Sequence, residues 1–154
     1  MSRNSITPSR AFLTIGVVVK ISGASPFGPG LRSRTPMAQE AVGFDEVETL
    51  VGLAGTVTTL AAHALGLDRY DRDTIHGSVL SVQTVQAACE QLLGMSTQER
   101  TDLGFMHPGR VDVIGAGALI WSRIVGRVAQ RAGLTSVVTS EHDILDGIAL
   151  SLAR

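Results

Sequence analysis

Short apolar segments that alternate with segments of helical spacing constrain the fold of this chain more than any other feature. Three apolar segments are predicted to be strands, at residues 49–53, 110–114 and 134–139. Helices are predicted over 57–65, 82–93 and 97–103, from the glycines after 114 to about 132, and at the end of the chain. This alternation predicts an α/β domain with a mostly parallel sheet and right-handed crossovers.

Polar side chains are predicted to cap three of these helices. Ser81 precedes the helix over 82–93, and Ser96 with Glu99 has the spacing of a capping box. Ser140 and Asp143 have the same spacing before the last helix. A capping oxygen accepts a hydrogen bond from an amide of the first turn that would otherwise lack a partner.

Two glycine-containing turns follow predicted strands and are the candidate site. Gly55 and Thr56 follow the first strand, and Gly115, Ala116 and Gly117 follow the second. Glycine lets backbone amides approach a ligand closely, and the free amides of a helix N-terminus favour an anion. Ligands of parallel sheets bind beyond the carboxyl ends of the strands. The five residues are therefore candidate phosphate or nucleotide ligands, and plain helix packing is the alternative.

Charge divides the chain near residue 40. Residues 1–36 contain five cations and no acid, whereas all 14 acids lie from Glu40 onward. Residues 1–40 are therefore predicted to be a disordered leader, and residues 41–154 to be the folded part. The apolar run over 11–19 is too short to span a bilayer and only faintly resembles a signal peptide. Residues 17–21 could add a strand to a sheet edge.

Other classes of protein are disfavoured by what the sequence contains. A net charge of −1 argues against a general nucleic-acid binder. The single cysteine, Cys89, excludes an internal disulfide, fits a cytoplasmic protein and lies with Trp121 among predicted core residues. No Gly-Lys-Ser/Thr or Gly-x-Ser-x-Gly sequence occurs, and Ile120 replaces the third glycine of a dinucleotide fingerprint. The four histidines lack metal-ligand spacing, so neither catalytic nor metal-binding residues are predicted.

A series of segments resembles one family in both order and spacing. These are VGLAGTVTTLA at 51–61, YD at 70–71, IHG at 75–77, MSTQER at 95–100, RVDVIGAGA at 110–118 and TSEHDILDGIA at 139–149. Together they resemble the C-terminal part of the Ppx/GppA phosphatases, which are exopolyphosphatases and guanosine pentaphosphate phosphohydrolases. The resemblance extends from about Asp45 to Arg154.

The resemblance implies an actin-like fold, related to sugar kinases, Hsp70 and ribonuclease H, in which two domains face a cleft. Such proteins release terminal phosphate from polyphosphate or guanosine pentaphosphate, usually with Mg²⁺. Gly55, Thr56 and residues 115–117 match turns on the cleft side of the second domain. The first-domain phosphate loop, the catalytic glutamate and the Asp-x-Gly-Gly-Gly-Ser loop have no matched position in this sequence.

Two hypotheses about function follow. The first is an exopolyphosphatase-type hydrolase, here truncated, lacking its catalytic first domain and inactive alone. The second is a non-catalytic remnant or an accessory phosphate- or nucleotide-binding domain. Both predict polyphosphate or a phosphorylated guanosine nucleotide as ligand, with no nucleic acid and no membrane. An exposed sheet edge and apolar face would favour self-association, so a homodimer is also expected.

Overall fold

A computed structural model describes the backbone of residues 13–16, and residues 44 and 47–153 in full. The strands are β1 (Leu13–Gly16), β2 (Leu50–Leu53), β3 (Val79–Ser81) and β4 (Ser136–Ser140). The helices are α1 (Gly55–Ala64), α2 (Arg72–Ile75), α3 (Val82–Gly94), α4 (Thr97–Thr101), α5 (Ile114–Ala132) and α6 (Ile144–Leu152), with a 3-10 turn at Pro108–Arg110. Within these residues no helix has the length and apolar character that crossing a membrane requires.

The sheet is mixed and mostly parallel, with strand order β1-β2-β4-β3. β2 is parallel to both β1 and β4, whereas β3 is an antiparallel edge. β2 and β4 therefore end at the same edge, with Leu53 opposite Ser140. The predicted fold class, an α/β domain with a mostly parallel sheet, is confirmed.

An edge strand does come from the predicted leader, but at Leu13–Gly16. It pairs in parallel with β2. The strand predicted over 17–21 lies outside the described residues, as does the rest of the predicted disordered leader.

The prediction of a strand over residues 110–114 is wrong. The chain there forms the 3-10 turn, and α5 begins at Ile114. Val111 and Ile114 are buried whereas Val113 is partly exposed, which is the three-residue spacing of a helix and not the alternation of a strand. A short apolar run does not distinguish the two by itself.

The core lies between the sheet and a layer formed by α1, α3 and α5. Trp121 and Cys89 are almost fully buried, as predicted. Trp121 packs on β2 at Gly52, where a Cβ would lie 2.6 Å from Cζ2 of the indole. Burial raises the pKa of Cys89 to about 12, so this thiol is an inert core group.

Candidate functional site

The turn from β2 into α1 lies at the carboxyl edge of the sheet. Ala54 has φ 72° and ψ 165°, and it contributes no side-chain cap to the helix. The amide of Thr58 donates to the carbonyl of Ala54 (3.2 Å), which starts the helical ladder. The amides of Gly55 and Thr56 therefore have no acceptor within the helix.

Side-chain capping hydrogen bonds divide the helices of the described residues into two groups. Asp71, Ser81, Ser96 and Asp143 each accept a hydrogen bond from a first-turn amide of α2, α3, α4 and α6. Ala54 and Val113, which precede α1 and α5, make no such bond. The two helices without a cap are those that begin at the predicted ligand turns.

The structure brings the two predicted turns together through a packing contact. Gly117 lies in the first turn of α5, where a Cβ would approach Cγ2 and Oγ1 of Thr56 to 2.6 Å. Gly115 and Gly117 are buried, and the Gly117 amide donates to the carbonyl of Val113 (3.1 Å). Gly55, Thr56 and Ala116 are only partly buried. At Gly117 the geometry therefore supports the packing alternative, whereas contact of the five residues with a ligand remains a prediction.

Arg110 is the residue at this turn that sequence analysis missed. Its Nη1 donates to Oγ1 of Thr59 (3.1 Å), which in turn donates to the carbonyl of Gly55 (2.7 Å). A Cβ at position 55 would overlap the guanidinium of Arg110, so the end of this side chain would have to move if glycine were replaced. The ion pairs of the described residues do not include one between Arg110 and the nearby Asp112. The structure places this cation beside the free amides of α1.

Tyr70 connects the other side of α1 to the loop after β4. Its hydroxyl lies 2.6 Å from Oγ1 of Thr58 and 2.5 Å from Oε1 of Glu141. Nε of Arg72 donates to Oε2 of the same carboxylate (3.2 Å), and the Glu141 amide donates to Nδ1 of His76 (3.2 Å). Burial raises the pKa of Tyr70, and the hydrogen bond to Glu141 raises this pKa further. The phenol is therefore protonated at neutral pH.

A cation such as Mg²⁺, which the resemblance implies, needs a cluster of oxygen ligands. Among the described residues no group of three or more His, Cys, Asp or Glu side chains could hold a metal ion. Glu141 is already engaged by Tyr70 and Arg72. This part of the chain therefore does not fit a metal site of its own.

The fold and the turn define an α/β protein with a candidate anion site at the carboxyl edge of its sheet. The chain belongs to the Ppx/GppA phosphatase family, whose family model matches residues 34–152. It is 45% identical over 123 residues to Exopolyphosphatase 2 of two Mycobacterium tuberculosis strains, CDC 1551 / Oshkosh and H37Rv. That alignment covers 80% of this chain and 39% of the relative, so the chain spans about two fifths of the length of these relatives.

Solved structures agree with this assignment. The crystal structure of an exopolyphosphatase-like protein has a TM-score of 0.76 and 38% identity, over 79% of this chain and 39% of that one. The Aquifex aeolicus PPX-GPPA enzyme has a TM-score of 0.58 and 27% identity, over 68% of this chain and 34% of that one. The domain is therefore part of the actin-like fold of this family.

Proposed function

We propose that this chain forms one wall of the phosphate-binding cleft of an exopolyphosphatase-type hydrolase. Its ligand would be inorganic polyphosphate or guanosine pentaphosphate. The observation that carries the proposal is the uncapped start of α1, where Arg110 lies against Gly55. Amide donors and a guanidinium are the groups that recognise phosphate oxygens. Family membership supports the same ligand class.

Binding of a phosphate chain needs fewer groups than catalysis does. Phosphoryl transfer needs charge neutralisation and an oriented nucleophile in addition to phosphate contacts. No residue of the printed sequence matches the catalytic glutamate of the family, because no acid precedes Glu40. We therefore propose that the chain alone binds phosphate chains without turnover, as an accessory domain would. Mg²⁺ dependence would belong to the assembled cleft, and a cytoplasmic location is part of the same proposal.

The test is binding of long-chain polyphosphate to the purified chain, with phosphate release in Mg²⁺ measured alongside. Arg110→Gln should weaken binding by about tenfold, because it removes a charge-assisted contact. Arg123→Gln is the matched control, since Arg123 is exposed on α5, and it should leave the affinity within about twofold.

Each result favours one hypothesis. Binding that Arg110→Gln weakens, without phosphate release, supports an accessory phosphate-binding wall. Release that the same variant abolishes would instead show a complete hydrolase. Absence of binding to polyphosphate and guanosine pentaphosphate by the folded chain would contradict the proposal.

A further inference from the structure

Tyr70 joins the first turn of α1 to the loop after β4 through its hydroxyl group. The hydroxyl is the donor to Oε1 of Glu141 and to Oγ1 of Thr58, which share its single proton. Oγ1 of Thr58 in turn donates to the carbonyl of Gly55, 3.4 Å away. This gives a chain of hydrogen bonds from Glu141 to the first turn of α1.

The two residues that are hydrogen-bonded to Tyr70 are shielded from solvent. Thr58 is 3% exposed, and the side chain of Glu141 is 11% exposed. Arg72 is largely exposed but donates to the inner carboxylate of Glu141, which fixes the orientation of that carboxylate. Hydrogen bonds to a charged group in such surroundings are strong and weakly screened.

The bonded segments begin side by side at one edge of the sheet. Leu53 and Ser140 are partners in the parallel pair of β2 and β4, so the loops that follow them are neighbours. Ala54 has a backbone conformation that persists only when its surroundings hold it in place. The link from Glu141 through Tyr70 reaches Thr58, four residues after Ala54, from outside the turn.

We propose that Tyr70 and Glu141 are positioning residues for the phosphate-binding turn. They would hold the first turn of α1 so that the amides of Gly55 and Thr56 face the ligand, and neither would contact phosphate itself. This inference rests on the proposed function. It predicts that the two side chains act as one unit.

The experiment compares Tyr70→Phe, Glu141→Gln and the double variant in the full chain. The first measurement is the Kd for long-chain polyphosphate. The second is amide hydrogen exchange of residues 55–58 without ligand. Each single variant should weaken binding by about fivefold or more and speed exchange at the turn. The double variant should bind no more weakly than the worse single variant, because coupled residues are not additive.

Ser81→Ala is the control for a general loss of stability. Ser81 caps α3 and pairs with Ser136, at the opposite end of β4 from Glu141. It should lower stability yet leave the Kd within about twofold. A Kd that Ser81→Ala raises as much as Tyr70→Phe does would overturn the inference, since the effect would then be global.

The two proposals can fail separately. If the wild-type chain binds no polyphosphate, the exchange measurement alone decides. Faster exchange at residues 55–58 confined to the Tyr70 and Glu141 variants would then retain the positioning role, while absence of binding to guanosine pentaphosphate as well would overturn the proposed function. Unchanged exchange in both variants would overturn the positioning role, whether or not polyphosphate binds.

Discussion

Ala54 adopts backbone angles that are ordinarily restricted to glycine. Its φ of 72° and ψ of 165° bring the chain from β2 into α1 without a capping side chain. Conformations of this kind cost roughly 1–3 kcal/mol and cluster at functional sites. The strain therefore lies at the same turn as the proposed phosphate contacts.

Replacing Ala54 by glycine should raise the free energy of unfolding by about 1 kcal/mol. Glycine would relieve the strain of the folded state. This gain exceeds the loss from the greater conformational entropy of the unfolded chain, which is about 0.4–1 kcal/mol. Urea unfolding measures the change. Ala87→Gly is the matched control, because Ala87 is exposed within α3 and glycine there should cost about 1 kcal/mol. Equal losses in both variants would contradict strain at Ala54.

Helices α5 and α1 approach each other closely at Gly117 and Thr56. Gly117→Ala would place a methyl group 2.6 Å from Cγ2 of Thr56, and overpacking of this kind costs about 1–3 kcal/mol. Gly126→Ala, in the same helix, meets only the end of the Gln86 side chain at 3.1 Å. It should be neutral or stabilising, because alanine favours a helix. Thermal unfolding of the two variants should therefore shift in opposite directions, and a neutral Gly117→Ala would show that the helices can separate freely.

The start of α4 should make stability depend on acid pH. Oε2 of Glu99 accepts bonds from the amide (2.7 Å) and hydroxyl (2.8 Å) of Ser96, and the backbone bond is the larger cause of a pKa below the ordinary 4.5. Because the folded-state pKa is lowered, this stabilisation is present above pH 4.5 and lost as pH falls through the folded value.

Glu99→Gln should therefore flatten the acid side of the stability profile. Urea midpoints between about pH 3 and pH 7 measure it, in the range where carboxylates titrate. Glu90→Gln removes an exposed charge from α3 and should leave the profile close to wild type. Identical slopes in all three proteins would contradict the contribution of the cap.

At the scale of the whole molecule, α6 is a helix without a covered face. None of its residues is buried, and its large aliphatic side chains are 50–82% exposed: Ile144, Leu145, Ile148, Leu150 and Leu152. An isolated helix of this length is marginal in water. Exposed apolar surface of this kind favours association, and the homodimer expected from the sequence stays a prediction.

The purified chain should therefore associate reversibly as its concentration rises. Ile148 lies in an apolar stripe of α6 with Ile144, Leu145 and Leu152, so Ile148→Glu should reduce association. Leu150 points about 200° away from Ile148 around the helix, so Leu150→Glu is a matched control that should reduce association less. Sedimentation velocity over a range of concentrations measures this. A monomer that unfolds sharply and independently of concentration would contradict it.

Local features of this protein were predictable because their causes are local. The cap at Ser81, the capping box of Ser96 with Glu99 and the glycine turn at Gly55 follow from neighbours a few residues away. The prediction for α6 was shifted, because Asp143 with Asp146 caps that helix and Ser140 does not. Ser140 ends β4 and Asp143 follows three residues later, and the spacing of serine, threonine and acidic residues does not choose between these two candidate caps.

The sequence by itself determined most of the alternation of strands and helices, and with it the fold class. Only the tertiary structure decided that a helix begins at Ile114, where Gly117 packs against Thr56 of α1. It also placed Arg110 against Gly55 and joined Tyr70 to Glu141, 71 residues later. Contacts of this separation leave no periodic signal in a sequence, because folding alone brings the two segments together.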